Sequence, residues 1–293
     1  MAAPSAKHDD EQSLVTIREI LNDIPGQVAL HEQIAHVPPA HGSRLHQDDE
    51  LTHPFQNSHL VSLCLGMSID ALRTLRAVVT AEEGHLTLPQ YGHYPLIRQS
   101  LEASSQAIWL MAPEDRRERV LRNLTARASE LLHDKALIET YTDISRARNK
   151  AERSRMASGQ RAFSKQRRIK DKYTRAIAGP LGIDRDEYTK RLHYGDIVEE
   201  AGTHIGLQGH LSRGLWQLVS GLTHPSASRA LATGSIEEVL PPTGDIRHVR
   251  ISTDRGHVAV AMLWTFRHYV AADVMYREQM GIIPTVATPG ATP

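Results

Sequence analysis

Ser220 and His224 stand one helical turn apart in the segment Leu211–His224, and Arg98 and Glu102 stand one turn apart in the run Tyr94–Met111. An imidazole beside a hydroxyl can do general acid–base work, and a guanidinium can offset charge developing on a phosphate. The four predict one shared site if their helices face each other, because a semi-buried Arg–Glu pair needs polar partners and His224 with Ser220 can supply them. The simpler reading is a structural ion pair inside a bundle and a solvated stripe ending in a histidine. Arg213 shares that stripe but lies eleven residues from His224, about 16 Å of helix rise, too far for the two to grip one phosphate.

A second constellation is electrostatic. Between Ile144 and Arg175 twelve basic residues face two acids, Glu152 and Asp171, so the segment is +10 within a chain of zero net charge. Arg146, Arg148, Lys150, Arg153, Arg155, Arg167, Arg168, Lys170 and Lys172 are the candidate nucleic-acid ligands here, with Arg161, Lys165 and Arg175 beside them. A concentrated positive surface attracts polyanions and releases their counterions on binding, which makes RNA or another polyanion the expected partner. The competing reading is a solvated helix face, or one that meets acidic surface in a homodimer. Only Phe163 and Tyr173 in the run offer a ring for base stacking.

Histidine is abundant, at 17 residues, and His31, His36, His41 and His46 recur every five. On a helix that step rotates each side chain by about 140°, so the four cannot share a face, and Pro38 and Pro39 interrupt any continuous helix. No cysteine or well-spaced carboxylate completes a metal set in this histidine-rich stretch, and neither a metal nor another cofactor is expected. HExxH, CxxC, Gly-rich phosphate loops and GxSxG are all absent from the sequence. The chain therefore does not read as a zincin, a P-loop NTPase, a Rossmann enzyme or an α/β hydrolase.

The elements that must position these residues are mostly helices. Apolar residues at helical spacing predict helices over 11–23, 55–83, 96–111, from Pro113 into the basic block with a break at Ser158–Gly159, 165–178, 196–201, 211–223 and 257–280. Residues 37–54 read as loop. The one β signal is a hairpin, 236–240 and 246–251 flanking the turn sequence PPTGD. The expected fold is all-α, a bundle of about seven or eight helices with that hairpin before the last helix. Disordered tails are expected at 1–10 and 282–293, around a single domain at 11–281 whose basic helical segment covers 144–178.

Composition fits this frame. The chain has 293 residues, 40% hydrophobic, with 27 arginines against 7 lysines, a usage expected of GC-rich coding sequence in a high-GC bacterium or its phage. A single cysteine, Cys64, excludes a disulfide framework, a four-cysteine zinc site and an iron–sulfur cluster, and suits a reducing cytoplasm. The apolar stretches Leu60–Ile69 and Val258–Trp264 fall short of the ~20 residues of a membrane span, so no membrane partner is expected.

The run Tyr94–Leu124, followed downstream by Leu215–Leu231, resembles an uncharacterised all-α family common in actinobacteria. That family has an Arg and a Glu one turn apart before a Trp-Leu, then an Arg-rich helix, then a Ser-Gly-x-x-His segment. Here these are Arg98, Glu102, Trp109–Leu110, Arg116 to Arg122, and Ser220–Gly221 with His224, covering about half the chain. The bundle is more distantly similar to the HEPN superfamily, whose active members are metal-independent ribonucleases of toxin and phage-defence systems. They carry an Arg followed by four to six residues and then a His. This chain departs from that pattern: Ser220 stands four before His224, and Arg127 with His133 matches the spacing only as chance allows in so Arg- and His-rich a sequence. The resemblance implies a cytoplasmic RNA-binding protein in defence or regulation, with metal-independent RNase activity if it is an enzyme. The alternative is a non-catalytic structural or protein-interaction module.

Overall fold

The computed structural model describes residues 4–80, 85–244 and 246–282. Eleven α-helices and one two-stranded antiparallel sheet are found among them, so the all-α class with a hairpin holds, with more helices than expected. The chain divides into two compact units, one of residues 1–40, 61–111 and 194–293, the other of 41–60 and 112–193. The single domain expected over 11–281 thus resolves into two units. The expected stop at Glu83–Gly84, the Asp245 end of the hairpin turn and the tail beyond Ile282 lie outside the described residues.

In the first unit, α11 (Arg255–Gln279) is packed by α4 (Tyr94–Met111) and α1 (Pro4–Ile34). Val258, Met262, Thr265, Tyr269, Ala272 and Tyr276 are buried along it at steps of three and four residues. Asp254 caps its start by accepting from His257 N. Ile97, Leu101, Ile108 and Met111 of α4, and Ile17, Ile20, Leu21 and Ile24 of α1, complete this core. α1 corrects the sequence reading twice. It begins at Pro4, where a tail was expected, and runs on through Pro25. Proline is compatible with a first helical turn. At Pro25 one hydrogen bond is lost, yet the buried series continues from Ile24 to His31 and Ile34, and that burial keeps the helix going.

α3 (Asn57–Val79) lies next in the chain after α2 (Arg44–Thr52), a helix in the segment read as loop. Ser43 caps α2 by accepting from His46 N, a signal hidden among the histidines, glycine and prolines around it. α8 (Tyr194–His204) packs on α4 and on α9 (Gly209–Leu222), and α9 also meets α4. A short α10 (Ala227–Thr233) leads into β1 (Gly234–Thr243), which pairs with β2 (Ile246–Thr253) in the register Ile236↔Ile251 and Glu238↔Val249.

The second unit is a helical hairpin standing on a small core. α5 (Arg116–Tyr141) and α6 (Lys150–Ala178) are joined through a 3-10 turn at Ile144–Arg146, and the four-residue α7 (Arg185–Tyr188) follows. Val120, Leu124, Ile177, Ala178, Ile183 and Tyr188 are buried together, with Leu51 and Phe55 against them. α6 is continuous through Ser158–Gly159, where a break was expected. The chain reverses earlier, at Thr142–Asn149, and Asn149 caps α6 by accepting from Glu152 N. Gly159 serves close approach: a Cβ there would stand 3.2 Å from Thr142 Cγ2, and Gln160 Nε2 donates to Thr142 O at 2.9 Å.

Candidate functional site

Two arrangements of functional groups were expected, and each falls within one unit. In the first unit, Arg98 Nε donates to Glu102 Oε1 at 2.8 Å, and the two side chains are 30% and 19% exposed. The partners of this semi-buried pair come from α9. Trp216 Nε1 donates to Glu102 Oε1 at 2.6 Å, and Arg98 Nη1 donates to Thr223 Oγ1 at 3.3 Å. Thr223 Oγ1 in turn donates to Ser220 O at 2.7 Å.

Ser220 therefore takes part through its backbone, while its hydroxyl is buried without a hydrogen bond. His224 is exposed, and no hydrogen bond or ion pair joins it to Arg98 or Glu102 among the described residues. The direct hydrogen bonds of Arg98 and Glu102 across to α9 thus run to Trp216 and Thr223, where Ser220 and His224 were the expected partners. α9 ends at Leu222 with Thr223 as its cap, and Pro225 follows. Beyond the cap the chain leaves helical phase, so the i, i+4 relation between Ser220 and His224 no longer sets where the imidazole lies. Trp216, Ser220 and Thr223 share one helix face at i, i+4 and i+7, and that spacing was the legible signal for the true partners.

Gly221 has its own reason. A Cβ there would lie 2.2 Å from Arg229 Nη1, and that guanidinium donates to Gln217 O at 2.7 Å. His224 instead borders a cavity of about 490 Å³ with Tyr91, Leu222, Thr223, Ser226 and Ile251. Arg213, the other cation of α9, is held by Asp196 at 2.8 Å and Glu199 at 2.9 Å. Chemically, the Arg98–Glu102–Trp216–Thr223 network is a closed set that fixes α9 on α4.

The basic segment is open by contrast. Arg146 and Arg148 lie on the connector, paired with Asp143 and Glu152. The backbone N–H and guanidinium of Arg148 hold the Glu152 carboxyl below the usual carboxylate range. The other ten cations lie on α6. At 100° per residue, Lys150, Arg153, Arg161, Lys165, Arg168, Lys172 and Arg175 fall within about 60° either side of one line. The packed positions Met156, Phe163, Thr174 and Ile177 lie on the opposite side. All seven cations of the line are exposed, and Arg175, bonded to Asp171, is the one with an ion pair among the described residues.

Three candidates on α6 depart from this face. Arg167 and Lys170 border a groove against α5 with Leu131, Asp134, Leu137 and Phe163, and Lys170 Nζ lies 3.8 Å from Asp134. Arg155 lies about 140° round the helix from the line. Arg161, Lys165 and Arg175, secondary in the sequence reading, belong to the line; the 3.6-residue period within the cationic run was the signal that marks them.

The chain matches no protein-family model, no curated protein and no solved structure. The histidine-rich stretch forms no metal cage: among the described residues no group of three or more His, Cys, Asp or Glu is placed to hold a metal ion. His41 and His46 do meet edge to face with centroids 4.8 Å apart, and His31 is buried in α1. No helix among the described residues is long and apolar enough to cross a membrane.

Proposed function

We propose that this protein binds RNA or another polyanion along the outer face of α6. The observation that carries the reading is the line of seven exposed cations from Lys150 to Arg175, opposite the face that packs on α5. Such a surface gains by releasing condensed counterions from a polyanion, and the gain needs no recognition of individual bases. From Arg127 to Tyr173 no residue is buried, so this stretch of the hairpin is spent on surface rather than on core.

Fluorescence anisotropy with a labelled RNA oligonucleotide tests it. Wild type should bind at low salt and release as salt rises. Substituting Arg161, Lys165, Arg168 and Lys172 together by Ala should weaken binding at least about tenfold at fixed low salt, through the phosphate contacts removed. Arg167→Ala with Lys170→Ala, in the groove, should cost much less, and His224→Ala should leave affinity unchanged. Absence of wild-type binding at low salt would leave the line as a solvated face or a protein-docking surface.

A further inference from the structure

We infer that the polyanion this face fits is an extended single strand, held phosphate by phosphate along α6, rather than a duplex. The inference rests on the polyanion-binding reading and narrows it from the spacing of the cations. Arg161, Lys165, Arg168, Lys172 and Arg175 follow one another at four, three, four and three residues, which on an α-helix is about 6 and 4.5 Å of rise in alternation. Five positive charges thus stand in a straight row about 21 Å long. Lys150 and Arg153 prolong the same line toward the N-terminus to about 37 Å, across two turns where Ser154, Ala157 and Ser158 occupy it. α6 is helical without interruption from Lys150 to Ala178.

A straight row imposes a geometry on its partner. The backbone of a duplex winds around its axis once in about 34–36 Å, so a rod laid on it stays beside one strand over a short arc and then crosses a groove. A helix seated in the major groove, about 12 Å wide, has a phosphate wall on each flank, and its cations belong on two opposite flanks with other side chains at the tip. On α6 the cations occupy the tip, in a band of about 120°. An extended strand can follow that band from end to end, and each step of the row lies near the distance between its successive phosphates.

The side chains between the cations point to the same mode of binding. Ser154, Ala157, Ser158 and Ser164 are small, and both aromatic residues of α6 lie away from the row: Phe163 faces α5, and Tyr173, about 140° round the helix from the line, meets Phe55 edge to face. Without a series of stacking rings the bases are not gripped, so the strand is held by its phosphates and base identity carries little weight. The 2′-hydroxyl has no dedicated partner in such a contact, and RNA and DNA strands should bind alike.

The experiment uses the full chain and anisotropy at several salt concentrations. The probes are labelled oligo(U) and oligo(dT) of 5 to 20 nucleotides, oligo(A) of 20, and a 20-base-pair RNA duplex. Single-strand affinity is expected to climb with length and level off once the strand covers the row. Arg175 is already paired with Asp171, so with about six phosphates neutralised the log–log salt slope should approach about −4 for single strands. Removing Lys150 and Arg153 together should flatten it by about 1.4, and removing Lys172 and Arg175 together by about half as much, because both ends of the row are in use. Oligo(U), oligo(dT) and oligo(A) should agree within about threefold.

A duplex bound as tightly as the strands at equal salt overturns the single-strand inference while leaving polyanion binding standing. So does a single-strand slope insensitive to either end pair. Failure of every probe to bind wild type at low salt overturns both. Circular dichroism of the variants guards against loss of helix, since all four positions are exposed and their replacement by Ala favours helix.

Discussion

At the scale of the residue, what distinguishes this chain is how many polar groups it buries in its first unit. His93 and His268 are fully buried, and burial pushes both imidazoles down to about 4 from the ordinary 6.5. The Trp264 carbonyl at 2.8 Å opposes the effect at His268, and the Pro89 backbone opposes it weakly at His93. Above pH 6.5 both are neutral folded or unfolded, and stability owes nothing to their titration. As pH falls below 6.5 the unfolded chain takes up protons first, and the loss grows until the folded imidazoles titrate near 4. Each histidine can withdraw on the order of 3 kcal/mol over that window. Urea midpoints should be flat from pH 8 to 7 and fall steeply from 6.5 to 4. His93→Phe keeps a ring against Tyr94, whose centroid lies 4.0 Å away, and should flatten the acid limb; an unchanged limb would clear His93 of the effect. Glu102 offers a second test at this scale. Glu102→Ala strips Arg98 and Trp216 of their shared acceptor and should destabilise the fold by about 1–3 kcal/mol, read in the same midpoints.

At the scale of the element, legibility followed whether a local pattern and the packing agreed. α4, α9 and α11 are long amphipathic or buried runs between clear stops, and their bounds follow from apolar spacing within a few residues. α1 and α6 were both misjudged at local breakers: the buried series on either side of Pro25 carries α1 through it, while at Ser158–Gly159 α6 continues on its own helical bonds with Gln160 donating to Thr142 O across the turn. α2 went unseen because its nine residues are polar on most faces and its buried positions, Leu45, Asp48 and Thr52, include only one apolar side chain. The Arg98–Glu102 pair was legible as an i, i+4 motif, whereas Trp216 and Thr223 needed the crossing of two helices far apart in sequence. The hairpin turn makes the point testable. Asn149 accepts from Glu152 N at 2.9 Å, and Asn149→Ala should cost about 1 kcal/mol. As α6 buries nothing before Thr174, the loss should show as faster amide exchange over residues 150–158, with the Ile177 end unaffected.

At the scale of the whole molecule, the division into two compact units makes a thermodynamic claim that a buried ion pair can examine. Arg119 and Asp48 are 4% and 1% exposed at the side chain and are joined by two hydrogen bonds of 2.6 and 2.8 Å. The remaining guanidinium nitrogen donates to the carbonyls of Pro113 at 2.9 Å and Glu114 at 2.8 Å. All four residues belong to the second unit, and the pair ties α2 to the start of α5 although 71 positions separate them in sequence. Removing one partner leaves the other charged, buried and unmatched, which costs about 3–5 kcal/mol. Asp48→Ala should therefore cut stability by that amount where the pair belongs. If the units unfold separately, amides of α5 and of the Ile177 end of α6 lose protection in hydrogen exchange while those of α11, around Tyr269, keep theirs. Arg119→Met with Asp48→Leu, which removes both charges and restores apolar volume, should recover most of the loss. Equal loss of protection in α11 and α5 for Asp48→Ala would show that the units unfold as one, and a double variant no better than the single one would refute the account in terms of an unmatched charge.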